Sequence, residues 1–88
     1  MPWGQNVDVI SVCSAAGQIR PLRMRLETEE QEFLRVDIDE VVSSSTFQRF
    51  GAEYETFLCK ASIWGKMRLF ELKYSVRSHS WKIMDNIF

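Results

Sequence analysis

Apolar and polar residues alternate along several stretches of this sequence, with the period of two that is typical of half-buried β-strands. A run rich in valine and isoleucine over residues 7–12 predicts the first strand. Two further strands are predicted over residues 19–27 and 34–39, and we expect the second of them to continue through residues 41–42. The apolar positions expected to face a core in these two strands are Leu22, Met24, Leu26, Leu34, Val36 and Ile38.

A β-hairpin over residues 57–74 is the clearest prediction, because two alternating arms meet near Gly65. The two central turn residues are either Gly65 and Lys66 or Trp64 and Gly65, and these alternatives give different pairing registers. Both place the same side chains toward the interior, so the face assignment does not depend on the turn. The inward side chains are Phe57, Cys59, Ala61, Phe70, Leu72 and Tyr74.

The outer face of this hairpin is also apolar, although a hairpin in a small barrel needs only one apolar face. We call the four outward apolar residues Leu58, Trp64, Met67 and Leu69 the hairpin patch. One explanation is that the first strand or Trp3 covers the patch, or that a sharp bend buries both faces. The other is a surface for self-association or for a protein partner, since contiguous apolar patches on small soluble domains often mark interfaces.

The rest of the pattern predicts an all-β domain. Residues 43–53, SSSTFQRFGAE, break the alternation and predict a short helical turn over residues 46–50, between Ser45 and Gly51. A last short strand contains Trp81 and Ile83. Short strands joined in sequence predict an antiparallel meander curled into an SH3-like open barrel, with a flat sheet backed by one helix as the alternative. At 88 residues we expect one domain, residues 1–88.

Composition narrows the classes of function. Hydrophobic residues make up 45% of the chain and the net charge is −1, which fits a folded domain without a broad basic field for nucleic acid or anionic lipid. The first residues lack the basic and apolar regions of a signal peptide, and no apolar run approaches the roughly 20 residues of a membrane span. Cys13 and Cys59 lack a CxxC spacing and are expected to be reduced, buried thiols. We therefore expect a cytoplasmic protein.

No catalytic constellation is recognisable. His79 lies between two serines in a polar turn, without an orienting acid or an oxyanion-hole motif nearby in the sequence. The carboxylates of Asp37, Asp39 and Glu40 do not fall on one face, and a solvated strand edge explains them. We expect no enzyme activity, no catalytic residue, no metal site and no cofactor.

Nucleic-acid binding is the alternative function. Arg23, Arg25 and Arg35 could align across two neighbouring strands as a short basic stripe, which we call the arginine stripe, with Phe33 on the same face. Nearby carboxylates such as Asp37 would neutralise much of its charge. The leading hypothesis is therefore a non-catalytic protein-interaction or self-assembly module, a homo-oligomer or a partner of another protein, that uses the hairpin patch. Binding of single-stranded nucleic acid is second.

Four short motifs lie between residues 17 and 83. They are GQIRPLRMRLE with Gly17, Ile19 and Pro21, then FLC at 57–59, ELKY at 71–74, and Trp81. In their spacing these motifs resemble small uncharacterised proteins of Gram-positive bacteria. The resemblance implies a bacterial cytoplasmic protein, and no activity, cofactor or site residue follows from it.

Overall fold

The chain folds into seven antiparallel β-strands, and the computed structural model describes residues 4–84. Within those residues there is no helix, so the all-β prediction is confirmed. Trp3, one of the expected covers of the hairpin patch, lies outside the described residues. The strands are β1 (Gln5–Cys13), β2 (Ile19–Glu27), β3 (Phe33–Asp37), β4 (Glu40–Arg49), β5 (Ala52–Ile63), β6 (Lys66–Ser75) and β7 (Ser80–Ile83).

The seven strands form one sheet in the order β3-β2-β1-β7-β6-β5-β4. Two meanders, β1 to β3 and β4 to β7, are joined where β1 pairs with β7. β3 and β4 follow each other in the chain yet lie at opposite edges of the sheet, connected only by Ile38 and Asp39. In a flat sheet those edges would be about 29 Å apart, at about 4.8 Å per strand spacing. The connection reaches about 11 Å, so the sheet must curl until its edges approach each other.

The connection between β3 and β4 bonds to both halves of the sheet. The Ile38 amide donates to the Leu22 carbonyl of β2, and the Asp39 amide donates to the Lys60 carbonyl of β5, each at 2.9 Å. β3 and β4 do not pair with each other, so the barrel stays open. The curled, open sheet is the predicted architecture, and the flat sheet backed by a helix is excluded.

The core occupies the concave side of the curled sheet and has the composition expected from the alternation. Phe57, Cys59, Ala61, Phe70 and Leu72 are all buried, and Tyr74 is partly buried against them. Around these hairpin residues the rings of Phe57 and Tyr74 contact the Trp81 ring, with centroids 5.5 and 4.8 Å away. The remaining buried apolar residues are Pro21, Met24, Leu26, Val36, Ile63, Trp81 and Ile83.

Leu22 is not a core residue, contrary to the prediction. Its side chain is 40% exposed, because β1 pairs with Arg23 and Pro21 and skips Leu22. One extra residue in a strand reverses which side chains face the core, so Pro21 takes the inward position. The sequence pattern alone does not show such a bulge.

The predicted helical turn over residues 46–50 is also wrong, because residues 46–49 belong to β4 and Phe50 begins the hairpin turn that follows. The hydroxyl of Ser45 bonds to that of Thr56 on β5 at 2.7 Å, so a hydroxyl group that favours caps and turns is satisfied across the sheet. Gly51 ends the segment as predicted, but in a hairpin turn. Phe50 and Gly51 are its central residues and have φ of 52° and 78°.

The β5–β6 hairpin uses the second of the two expected turns. Trp64 and Gly65 are the central residues, with φ of 52° and 77°, and Cys59 pairs with Phe70. Positive φ at both positions is the geometry of a type I′ turn, whose twist matches that of the strands. The face assignment is therefore correct.

The two cysteine thiols differ in exposure. The Cys13 thiol is exposed at the end of β1 and only Cys59 is buried, so the expectation of two buried thiols is half wrong. Within residues 4–84 there is no helix of the length and apolarity that crossing a membrane would require.

Candidate functional site

The hairpin patch lies near the β5–β6 turn on the convex side of the sheet. Trp64, Met67 and Leu69 have exposed fractions of 67%, 54% and 62%, whereas Leu58 is half-buried. Leu69 lies opposite Lys60, and Lys60 in turn lies opposite Glu40 on β4. Three large apolar side chains are therefore gathered at one end of the hairpin, with charges of both signs beside them.

The arginine stripe is brought together as the alternation suggests, along the wall of a groove of about 410 Å³ on β1, β2 and β3. Arg25 and Arg35 are cross-strand neighbours, and the guanidinium of Arg25 lies 4.4 Å from the centre of the Phe33 ring. All three arginines form ion pairs: Arg23 and Arg35 with Asp37, and Arg25 with Asp8. Most of the positive charge is thus neutralised within the sheet.

Asp37 is the acidic centre of this surface. The Arg23 side chain donates a hydrogen bond to Asp37 at 2.6 Å, and the Arg35 guanidinium lies 3.4 Å from its other carboxylate oxygen. The bond from Arg23 is the largest influence holding the pKa of the Asp37 carboxyl below its ordinary value of 3.8, and Arg35 contributes less. A lowered pKa means that the folded state favours the ionised carboxylate. Any stability from the pair is present above pH 3.8 and is lost as the pH falls through the folded-state pKa.

Replacing Arg23 with glutamine is expected to raise the pKa of Asp37, and replacing Arg35 with glutamine is expected to raise it less. The reason is that Arg23 provides the shorter, charge-assisted hydrogen bond. A titration of the Asp37 carboxyl carbon by NMR measures the pKa in the wild type and in both variants. A larger rise for Arg35→Gln than for Arg23→Gln would contradict this assignment.

A larger cleft lies on the open side of the barrel. It has a volume of about 720 Å³ and is bounded by the β1–β2 hairpin on one side and by β4 and β5 on the other. Arg20 and Glu55 are its charged lining residues, and Ser44 and Thr46 contribute hydroxyls. His79 is not in its wall, so the cleft does not contain a nucleophile with a histidine base.

His79 lies instead in the β6–β7 turn, exposed to solvent, as the sequence predicts. Its Nδ1 atom is 2.9 Å from the hydroxyl of Tyr74, which fixes the ring against the end of β6. Across residues 4–84 there is also no group of three or more histidine, cysteine or acidic side chains placed to hold a metal ion.

The outer face also carries a surface of two aromatic rings and a lysine that the sequence pattern does not identify. There Phe47 of β4 stacks on Tyr54 of β5, with ring centroids 5.3 Å apart, and the Lys73 ammonium of β6 lies 4.7 Å from the centre of the Tyr54 ring. Phe47 was expected in a helical turn, which hides this contact from sequence reasoning. Only the alternation in β5, which places Tyr54 outward, hints at it.

In comparisons with known proteins, the chain matches no family model, no curated protein and no solved structure.

Proposed function

We propose that this protein is a non-catalytic interaction module that self-associates through the hairpin patch. The observation that supports the proposal most directly is the exposure of Trp64, Met67 and Leu69, each more than half open to solvent on one face. Clustered apolar side chains of this size lower the free energy of association when a second surface excludes water from them. The fold itself does not need them, since the core lies on the opposite face of the same strands.

A second copy of this chain is the partner that fits the patch best. A two-fold interface brings the same surface together from both subunits, so the surface must complement itself. An apolar centre satisfies that condition, and Lys60 and Glu40 provide both signs of charge beside it. Stable interfaces use about 20–30 residues on each side, whereas the patch has four, so we expect weak, concentration-dependent association.

Replacing Leu69 with threonine is expected to weaken self-association by at least about tenfold, because the apolar centre of the interface would lose a large side chain. Threonine keeps a high β-propensity, so the strand should be retained. Sedimentation equilibrium over a range of protein concentrations measures the change, and Met67→Thr should act in the same direction.

The matched control is Ile10→Thr, which changes an apolar residue of similar exposure, 57%, on β1. It should leave the association constant unchanged. The proposal fails if the wild type remains monomeric at high concentration, or if Ile10→Thr weakens association as much as Leu69→Thr.

Single-stranded nucleic-acid binding through the arginine stripe remains the second candidate. The juxtaposition of Arg25, Arg35 and Phe33 beside a groove supports it. The ion pairs with Asp8 and Asp37 weaken it, because a phosphate would have to displace a carboxylate from each arginine. For that reason the hairpin patch is preferred.

A further inference from the structure

A small pocket on the outer face of β5, β6 and β7 has an unusual set of lining residues. Its volume is about 150 Å³, and it is lined by Tyr54, Lys73, Ser75, Ser78, Ser80 and Lys82. Tyr54, Ser75 and Ser80 form one row of cross-strand neighbours, and Lys73 and Lys82 form the next row. Two lysines and four residues with hydroxyl groups therefore line one pocket, and no carboxylate is among the lining residues that the structure describes.

The two lysines are placed unfavourably for an empty pocket. Lys73 and Lys82 lie directly opposite each other on adjacent strands, and like charges in that position destabilise a sheet. Neither forms an ion pair within residues 4–84. Glu71 lies two residues before Lys73 on β6 and faces the same side of the sheet, next to the lysine pair, and Asp8 of β1 is paired with Arg25. A bound anion beside the two lysines would reduce the repulsion between them.

The serine hydroxyls that line the pocket retain hydrogens that are available to donate. The Ser75 hydroxyl accepts from the Ser78 amide at 3.4 Å, which leaves its own hydrogen free to donate elsewhere. Ser78 and Ser80 share a hydrogen bond of 2.7 Å between their hydroxyls, so only one of their two hydrogens is used. The β6–β7 turn thus presents donors beside the two positive charges.

An aromatic surface adjoins the pocket on the same face. Phe47 lies opposite Tyr54, and Tyr54 lies opposite Ser75. The stacked rings therefore extend the row of the pocket that Tyr54, Ser75 and Ser80 form. Lys73 belongs to both the pocket and the aromatic surface, because it lines the pocket and its ammonium group lies over the Tyr54 ring. Exposed aromatic rings beside a basic groove are the features that hold bases and phosphates of nucleotides.

We propose that this pocket binds the phosphate group of a nucleotide, with the base against Phe47 and Tyr54. The pocket has about five times the roughly 30 Å³ that one water occupies in the liquid, which is enough for a phosphate group. Two lysines neutralise its charge, and the hydroxyls of the serines and Tyr54 donate to its oxygens. The site is separate from the hairpin patch and does not depend on self-association.

Calorimetric titrations with adenosine, inorganic phosphate, adenosine 5′-monophosphate and a single-stranded hexa-adenylate test the assignment. The monophosphate should bind at least about tenfold more tightly than adenosine or inorganic phosphate, since it engages both parts of the site. Backbone amide signals of Ser78 and Ser80 should shift during the same titration. A hexa-adenylate that binds no more tightly than the monophosphate identifies a free nucleotide as ligand, and much tighter binding identifies a single strand.

Lys82→Gln should weaken binding of the monophosphate by about tenfold or more while leaving the protein no less stable, because the like-charge contact disappears. Lys66→Gln removes the same charge in the β5–β6 hairpin and should change nothing. Phe47→Thr should reduce binding of the monophosphate to the level of inorganic phosphate without altering the latter. The proposal is overturned if no nucleotide binds more tightly than inorganic phosphate, or if Lys82→Gln and Lys66→Gln behave alike.

Discussion

Replacing Phe70 with alanine is expected to lower the free energy of unfolding by about 3–5 kcal/mol. The Phe70 side chain is 1% exposed at the centre of the core, so its removal both loses burial and leaves a cavity. A chain of 88 residues has a total stability of roughly 4–13 kcal/mol, so this one change removes a large part of it. Urea unfolding followed by circular dichroism measures the difference.

Leu69→Ala is the matched control for Phe70→Ala. Leu69 is the preceding residue on β6 and points to the outer face, where it is 62% exposed. At concentrations too low for self-association, its replacement should change the free energy of unfolding by at most about 0.5 kcal/mol. Equal losses for the two variants would mean that the inward and outward faces of the hairpin have been assigned wrongly.

The Cys59 thiol is expected to resist thiol reagents far more strongly than the Cys13 thiol. Cys59 is completely buried and burial raises its pKa to about 12, whereas Cys13 is exposed. At pH 8 the thiolate fraction of folded Cys59 is on the order of 10⁻⁴, and only the thiolate reacts. A kinetic assay with an aromatic disulfide reagent should therefore show one fast thiol per folded chain, and two in denaturant. Rapid reaction of both thiols in the folded protein would contradict the buried position of Cys59.

The raised pKa of Cys59 also predicts a dependence of stability on pH. Above pH 9.0, the ordinary pKa of a cysteine, the unfolded chain loses the thiol proton while the folded chain keeps it. The contribution of Cys59 is therefore complete below about pH 9 and is lost as the pH rises toward 12. Cys59→Ala removes this contribution, so the stability difference between it and the wild type should shrink in that range.

The alternation of β5 and β6 was enough to predict which hairpin side chains between Phe57 and Tyr74 face the core and which form the hairpin patch. Phe57, Cys59 and Phe70 point inward because side chains change face at every residue of any regular antiparallel strand. The prediction needed neither the pairing partners nor the exact turn. Leu22 shows the limit, because a single unpaired residue reverses the alternation and leaves no mark in a pattern of apolar positions.

The features that the sequence does not predict depend on contacts between strands. Ser45 and Phe47 suggested a helical turn by themselves, but a hydroxyl on β5 and the ring of Tyr54 make β4 the better conformation. The pairing of Lys73 with Lys82 follows from the register across the β6–β7 turn, which the alternation does not fix. Candidate sites that are built from two or more strands therefore become visible only with the fold.

The connection through Ile38 and Asp39 has a consequence for how the chain could be reordered. β1 and β7 are hydrogen-bonded neighbours, so the order β4-β5-β6-β7-β1-β2-β3 describes a chain in which every strand pairs with the strand next to it in sequence. A circular permutation that opened the chain at this connection would turn the fold into an uninterrupted meander made of local pairings, and the lower contact order favours faster folding. In the natural order, and among the seven strands that the structure describes, the β1–β7 ladder is the one pairing that joins the first strand to the last.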